Sequence, residues 1–207
     1  MSGVTEVRRA TKADIDACAA VLTRAFQDDP GTVLVEPDDA RRRDIFLPFF
    51  RTFIAASIAD GADIVVPDGE LNGVASWFGP DAHAPSEASM VAHGLLDVLG
   101  GFGDEASGRL GPMTAELEAQ HDRLMTEPHL RLEFFGVDPD AQGRGIGVAL
   151  AEHGHRRADD LGLPCYLETM TEKNVRFYER RGYGVIKTFT VGDDVRVFAM
   201  RRDPQGP

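Results

Sequence analysis

From Leu130 to Leu161 an apolar run passes straight into a glycine-rich turn and then into an amphipathic helical pattern. Leu130 to Val137 is mostly apolar, with Glu133 standing out as a carboxylate, which predicts a central strand buried on both faces. Asp138-Pro139-Asp140 ends the strand. Gly143, Gly145 and Gly147 punctuate the turn. Ile146, Leu150, His153 and Leu161 mark the following helix, and Gly162 stops it. Such a joint leaves the first backbone N–H groups of the helix at the positive end of its dipole, and glycines let a ligand come close. Phosphate or pyrophosphate is the natural guest. Gln142, Gly143, Arg144, Gly145, Ile146 and Gly147 are its candidate cradle, with Arg144 as a fixed positive charge. The Gly-x-Gly-x-Gly spacing does not match the dinucleotide fingerprint, and no Lys completes a triphosphate loop. A plain surface turn is the alternative reading.

The rest of the chain narrows the class. Its 207 residues are expected to form one domain over 1–207. Acidic residues outnumber basic ones 34 to 22, a net charge of −12, which argues against nucleic-acid or anionic-membrane partners. No run of about 18 apolar residues is present, and Met1 to Arg9 has no signal-like core, so a cytoplasmic protein is expected. Cys18 and Cys165 are too few and too distant for a disulfide scaffold or a zinc site, and no metal is expected. Oligomeric state is not readable.

Along the chain, Val4–Arg8 alternates as a first strand, and residues 12–28 form an amphipathic helix started by Thr11 and Asp14 and ended at Asp28-Asp29-Pro30-Gly31. A second helix spans about Asp39 to Ala59, kinked or split by Pro48. Its Phe46, Phe49, Phe50 and Phe53 are a core stripe or the lining of a pocket. Residues 62–66 and 71–78 read as a hairpin, and 79–128 as a helical insertion with a helix starting at Pro112. After the glycine loop come a strand over 164–169, a helix over 173–181, a hairpin over 183–191 and 195–200, and a frayed tail over 203–207.

Leu167-Glu168-Thr169 closes the strand after the loop. Asn174-Val175-Arg176-Phe177-Tyr178-Glu179-Arg180-Arg181-Gly182-Tyr183 then runs from helix into strand. Together with Gln142-x-x-Gly145-x-Gly147, these residues resemble the GCN5-related N-acetyltransferase (GNAT) superfamily, in particular its puromycin N-acetyltransferase-like members. The likeness is dense over 129–183. Glu133, Arg181 and Tyr183 depart from the residues more usual at their positions. The resemblance implies an α/β fold, with a mixed, mostly antiparallel central sheet of about seven strands flanked by helices and a helical insertion before the central strand. It implies acetyl-CoA as co-substrate and transfer of the acetyl group to the primary amine of a small molecule by direct attack on the thioester. Backbone groups of Phe135 and Val137 would bond the pantetheine arm like an added strand. Asn174 and Phe177 would flank it, although Asn174 is equally readable as a helix cap. Tyr178 would be the general acid at the leaving thiolate, where a core aromatic is the other reading.

The base is open. Glu133 is a carboxylate in an apolar strand, so burial would raise its pKa, or it is a structural partner of Arg131. Glu168 matches the family's Leu-Glu-Thr and is the second candidate, or it holds a loop in place. His129, His83, His93 and His121 are weaker, and His153 reads as a packing residue. Residues 79–128 carry 2 Arg and 9 Asp/Glu, net −7. If this insertion covers the acceptor side, it would draw in a cation. Two other functions fit the same motifs: a non-enzymatic acyl-CoA-binding module, and a protein or peptide N-acetyltransferase.

Overall fold

A computed structural model describes residues 5–206, so Val4 and Pro207 of the segments above lie outside the described residues. The elements run β1 (Val7–Arg9), α1 (Ile15–Ala25), α2 (Pro30–Val35), α3 (Asp39–Ala59), β2 (Asp63–Pro67), β3 (Gly73–Phe78), α4 (Glu87–Ala92), α5 (Leu95–Leu124), β4 (Leu130–Val137), α6 (Ile146–Leu161), β5 (Cys165–Thr169), α7 (Glu172–Glu179), β6 (Gly184–Val191) and β7 (Val195–Arg202). The strands form one seven-stranded sheet, ordered β1-β2-β3-β4-β5-β7-β6. Every neighbouring pair is antiparallel except β4–β5.

Helices α1 and α3 cover one face and α6 the other. Glycines let both layers sit close. A Cβ on Gly136 would stand 2.8 Å from Cβ of Ala25 in α1, and one on Gly73 would stand 2.8 Å from Ile146 in α6. The tightest contact is Gly154 of α6 against the fully buried Trp77 of β3, where a Cβ would lie 2.1 Å from the indole. Gly154→Ala should therefore cost about 3 kcal/mol, the upper range for overpacking. A denaturant titration checks this, and an unshifted midpoint would mean that the indole moves aside freely.

Four expectations are corrected. Pro48 does not split α3, which runs through as one helix. Pro48 is on the exposed side, so the carbonyl it leaves unbonded faces water while Phe46, Phe50 and Phe53 stay in the core. Pro112 likewise sits inside α5, and the break in that helix is at Gly103, with φ 71°. The segment after Asp28 is helix α2 rather than a plain turn: the Asp29 carboxylate accepts from the Gly31 amide (2.9 Å), and Pro30 takes the first helical position. The tail is also anchored as far as Gln205, whose amide donates to Asp159 (2.8 Å).

Candidate active site

The site begins with a mismatch of parity in β4. The Leu130 amide donates to Pro164 O (2.9 Å), toward β5, and the Asp138 amide donates to Asn72 O (2.9 Å), toward β3. Backbone groups alternate sides along a strand, so an even-numbered residue cannot face both ways without an extra residue between. The register supplies it: Ala75 stands opposite Phe135 and Trp77 opposite Leu132, which places a bulge at Glu133 and Phe134. Counting back from Asp138, the N–H and C=O of Phe135 and Val137 point away from β3. Pairing of β4 with β5 ends at Leu132 and Leu167, so these groups face a gap between the two strands. The gap also explains why β4 is only half-buried from Glu133 to Phe135, where burial on both faces was expected.

Below the gap lies a cleft of about 490 Å³, lined by Phe135, Val137, the Gln142–Val148 turn except Arg144, and residues of α7 with Arg181. Gly143 (φ 79°) and Gly145 (φ 84°) adopt left-handed conformations that favour glycine, and no side chain caps the first turn of α6. Its first amides are thus available to an anion. Arg144 is not at the cleft. Its guanidinium donates to Asp140 O (2.9 Å) beside a separate depression with Glu6 and Asp68. The positive charge at the cleft comes instead from Lys173, bonded to Gln142 (3.2 Å), and from Arg181, stacked 3.6 Å above the Phe177 ring. Arg181 Nε is buried without a partner among the described residues. Neither cation stands among the candidates drawn from the sequence, where Arg181 is only a departure from the residue more usual at its position.

A second cavity, of about 180 Å³, lies across the sheet edge against α3 and α5. Phe26, Asp29, Phe135, Asn174 and Tyr178 line both spaces, so cleft and cavity meet at these residues. Tyr178 packs between Phe177 and Tyr183 (ring centroids 5.2 and 5.5 Å). Burial holds its phenol well above the ordinary tyrosine range. Asn174 is not a cap. Thr171 caps α7, and the Asn174 side chain donates to Thr169 Oγ1 (3.1 Å). In the sequence Asp29 is part of a turn-like string, yet it stands at the junction, its carboxyl pushed up by burial.

Glu133 and Glu168 both line the cavity, tied to one guanidinium. Arg131 reaches Glu133 at 2.8 Å, Glu118 at 2.8 Å and Glu168 at 3.3 Å. Both readings of Glu133 therefore hold in geometry: it faces the cavity and pairs with Arg131. Three carboxylates on one cation leave a negative surplus. Burial pushes Glu133 up, and pushes Glu168 up to about 7; Tyr166 donates to Glu168 (2.8 Å).

Behind Arg131 runs a directed chain. Glu127 O can only accept, so His129 carries its proton on Nδ1 (2.8 Å). With both rings neutral, His129 Nε2 then accepts from His121 Nε2 (2.8 Å), and His121 Nδ1 accepts from Arg131 (3.3 Å). Glu118, His121 and Asp122 bring donor atoms within 4.8 Å of one another, but Arg131 already engages the first two. His153 pairs with the buried Asp63 (3.0 Å), and His83 and His93 line neither space.

The sequence model of the Acetyltransferase (GNAT) family matches residues 106–183. That span holds the bulged strand, the glycine turn, α6 and α7. A crystal structure described as histone acetyltransferase HPA2 and related acetyltransferase, from Corynebacterium glutamicum, is 26% identical with a TM-score of 0.73, covering 100% of this chain and 99% of that one. The chain belongs to the GNAT acetyltransferase superfamily. It is similar to an uncharacterized N-acetyltransferase of Schizosaccharomyces pombe, 26% identical over 182 residues, 85% of this chain and 73% of that protein. A shorter stretch is 38% identical to mycothiol acetyltransferase of Propionibacterium freudenreichii over 64 residues, 30% of this chain but 20% of that protein. The seven-stranded, mostly antiparallel sheet flanked by helices is the GNAT fold, and the chain is an acetyltransferase of a family that uses acetyl-CoA. No helix among the described residues is long and apolar enough to cross a membrane.

Proposed function

We propose that this GNAT chain is an acetyl-CoA-dependent N-acetyltransferase that acetylates the primary amine of a small molecule. The observation that carries the reading is the junction at Tyr178, where a cleft suited to a phosphorylated, strand-like ligand meets a cavity rich in carboxylates. The residues present fit acetyl-CoA. Phe135 and Val137 offer unpaired backbone groups to the pantetheine amides, and the α6 amides with Lys173 and Arg181 offer positive charge to the pyrophosphate. Arg144 has no part in this cradle. When bound, acetyl-CoA supplies the thioester that the amine attacks, with a thiolate as leaving group.

The chain's own groups divide the proton traffic. Glu168 and Glu133 attract the ammonium form, and Glu168 takes one proton to free the nitrogen lone pair. Glu168 is the better base of the two, because a carboxyl near 7 is half ionised at neutral pH. Tyr178 keeps its phenolic proton across the working range, so its hydroxyl can donate to the sulfur as the C–N bond forms and the C–S bond breaks, and the second proton shed by the nitrogen as the amide forms restores the phenol. Arg131 positions the carboxylates. Helix α5 closes the cavity with Leu110, Met113 and Leu117, which favours a small acceptor over an extended peptide.

The test is release of free thiol from acetyl-CoA in the presence of small amines or of peptides. Turnover only with peptides would overturn the reading, as would acetyl-CoA binding without turnover on any amine. Since Glu168 must be ionised to act, kcat/KM should climb as pH rises through about 7. Glu168→Gln should flatten that limb, and an unchanged profile would move the role to Glu133.

A further inference from the structure

The polar groups of the cavity are unevenly placed. Its α3 and α5 wall is built from Phe46, Phe49, Phe50, Leu110, Met113 and Leu117. The one hydroxyl on this stretch, Thr114, donates back into its own helix, to Leu110 O (3.1 Å) and Gly111 O (3.0 Å). The one carboxylate of α5 in the lining, Glu118, follows Leu117 at the end of this wall and is held by Arg131 (2.8 Å). Glu118, Glu133 and Glu168 gather on Arg131, and Asp29 stands where the cavity opens to the cleft. The cavity therefore has an anionic region and an apolar one.

The aromatic packing sharpens this contrast. Phe134, lifted by the bulge, meets Phe49 at 87° and Phe50 at 89°, with ring centroids 6.1 and 5.2 Å apart. Phe46 and Phe49 meet at 82°. Phe49 is only half-buried and offers ring surface to the cavity. A flat ring entering this wall finds edges and faces already set for edge-to-face contact. A second ammonium or a guanidinium entering it finds no carboxylate that Arg131 does not already hold, and a buried unpaired charge is strongly disfavoured.

We infer that the acceptor is a monoamine borne on an aromatic or similarly compact apolar body, with the body against the phenylalanines and the ammonium at the carboxylates. Diamines, guanidino-amines and polycationic sugars are selected against by the apolar wall. The inference rests on the small-amine reading above and narrows it.

The experiment measures kcat/KM on the full chain with acetyl-CoA for 2-phenylethylamine, tryptamine, agmatine, putrescine, kanamycin and a peptide with a free N-terminus. The aromatic monoamines should exceed agmatine and putrescine by at least about 100-fold, the cost of leaving one charge unpaired. Met113→Glu, which places a carboxylate on the apolar wall, should lower the value for 2-phenylethylamine and raise that for agmatine at least about tenfold. A preference of the unmodified protein for agmatine, putrescine or kanamycin overturns this inference and leaves the small-amine reading standing. So does a Met113→Glu variant that folds, turns over 2-phenylethylamine and gains nothing on agmatine. Acetylation confined to the peptide overturns both.

Discussion

Tyr178→Phe should leave the affinity for acetyl-CoA within about twofold and lower kcat by roughly 10²- to 10³-fold, the usual cost of removing an acid or a donor aimed at developing negative charge. The ring stays in place, because Phe177, Phe135 and Tyr183 hold it by packing and its hydroxyl has no hydrogen-bond partner among the described residues. The substitution is thus close to a deletion of one O–H at the point where cleft and cavity meet. Calorimetry measures the binding half of the prediction and steady-state thiol release the catalytic half. An unaltered kcat on an accepted amine would reduce Tyr178 to a core aromatic and shift the weight of catalysis to proximity alone.

Gly145→Asp should weaken acetyl-CoA binding by at least about 100-fold, since it sets a carboxylate beside the helix amides proposed to hold the pyrophosphate. A Cβ at this position meets nothing within 4 Å, so there is no steric clash, but φ is 84° and any side chain there is strained. Asn and Asp tolerate that conformation better than most residues. Gly145→Asn is therefore the control: it carries the same backbone cost without the charge. Equal losses for the two variants would mean that conformation rather than electrostatics governs the loop, and unchanged affinity in both would remove the phosphate-cradle reading.

The elements that repeat a simple pattern were legible. Strand β4 is bounded by Leu130 and Val137 as its apolar run predicts, and the β2–β3 and β6–β7 hairpins lie within a residue or two of their expected limits. Placement at the cleft was legible for positions set by backbone or motif: Phe135, Val137, Gly145 and Tyr178 all line it, and their roles there are the proposal made above. What failed depends on direction. Arg144 sits in the glycine turn, yet its side chain leaves on the far side, while Arg181 reaches the cleft by stacking on Phe177. No linear spacing reports which way a loop side chain points. The bulge at Glu133 and Phe134 was hidden because it is a relation between two strands. Asp29 was passed over because a turn-like Asp-Asp-Pro-Gly string is ordinary, although Asp followed by Pro is also how a helix begins.

The unpaired stretch of β4 bears on a different hazard, that of one chain's sheet sticking to another's. Open strand edges invite aggregation, and proteins blunt them. This sheet has two outer rims. One is β1, only Val7–Arg9 and carrying Arg8 and Arg9, and the other is β6, interrupted by a bulge between Val185 and Lys187 and bearing that lysine. Its third free edge, at Phe135 and Val137, carries no charged side chain of its own. It lies mid-sheet, with α1 packed on one side and α6 on the other. A strand entering there would bring side chains against both helices, whereas the pantetheine arm proposed to bind there carries amides without side chains. The edge most useful for recognition is thereby the one a foreign strand is least able to reach.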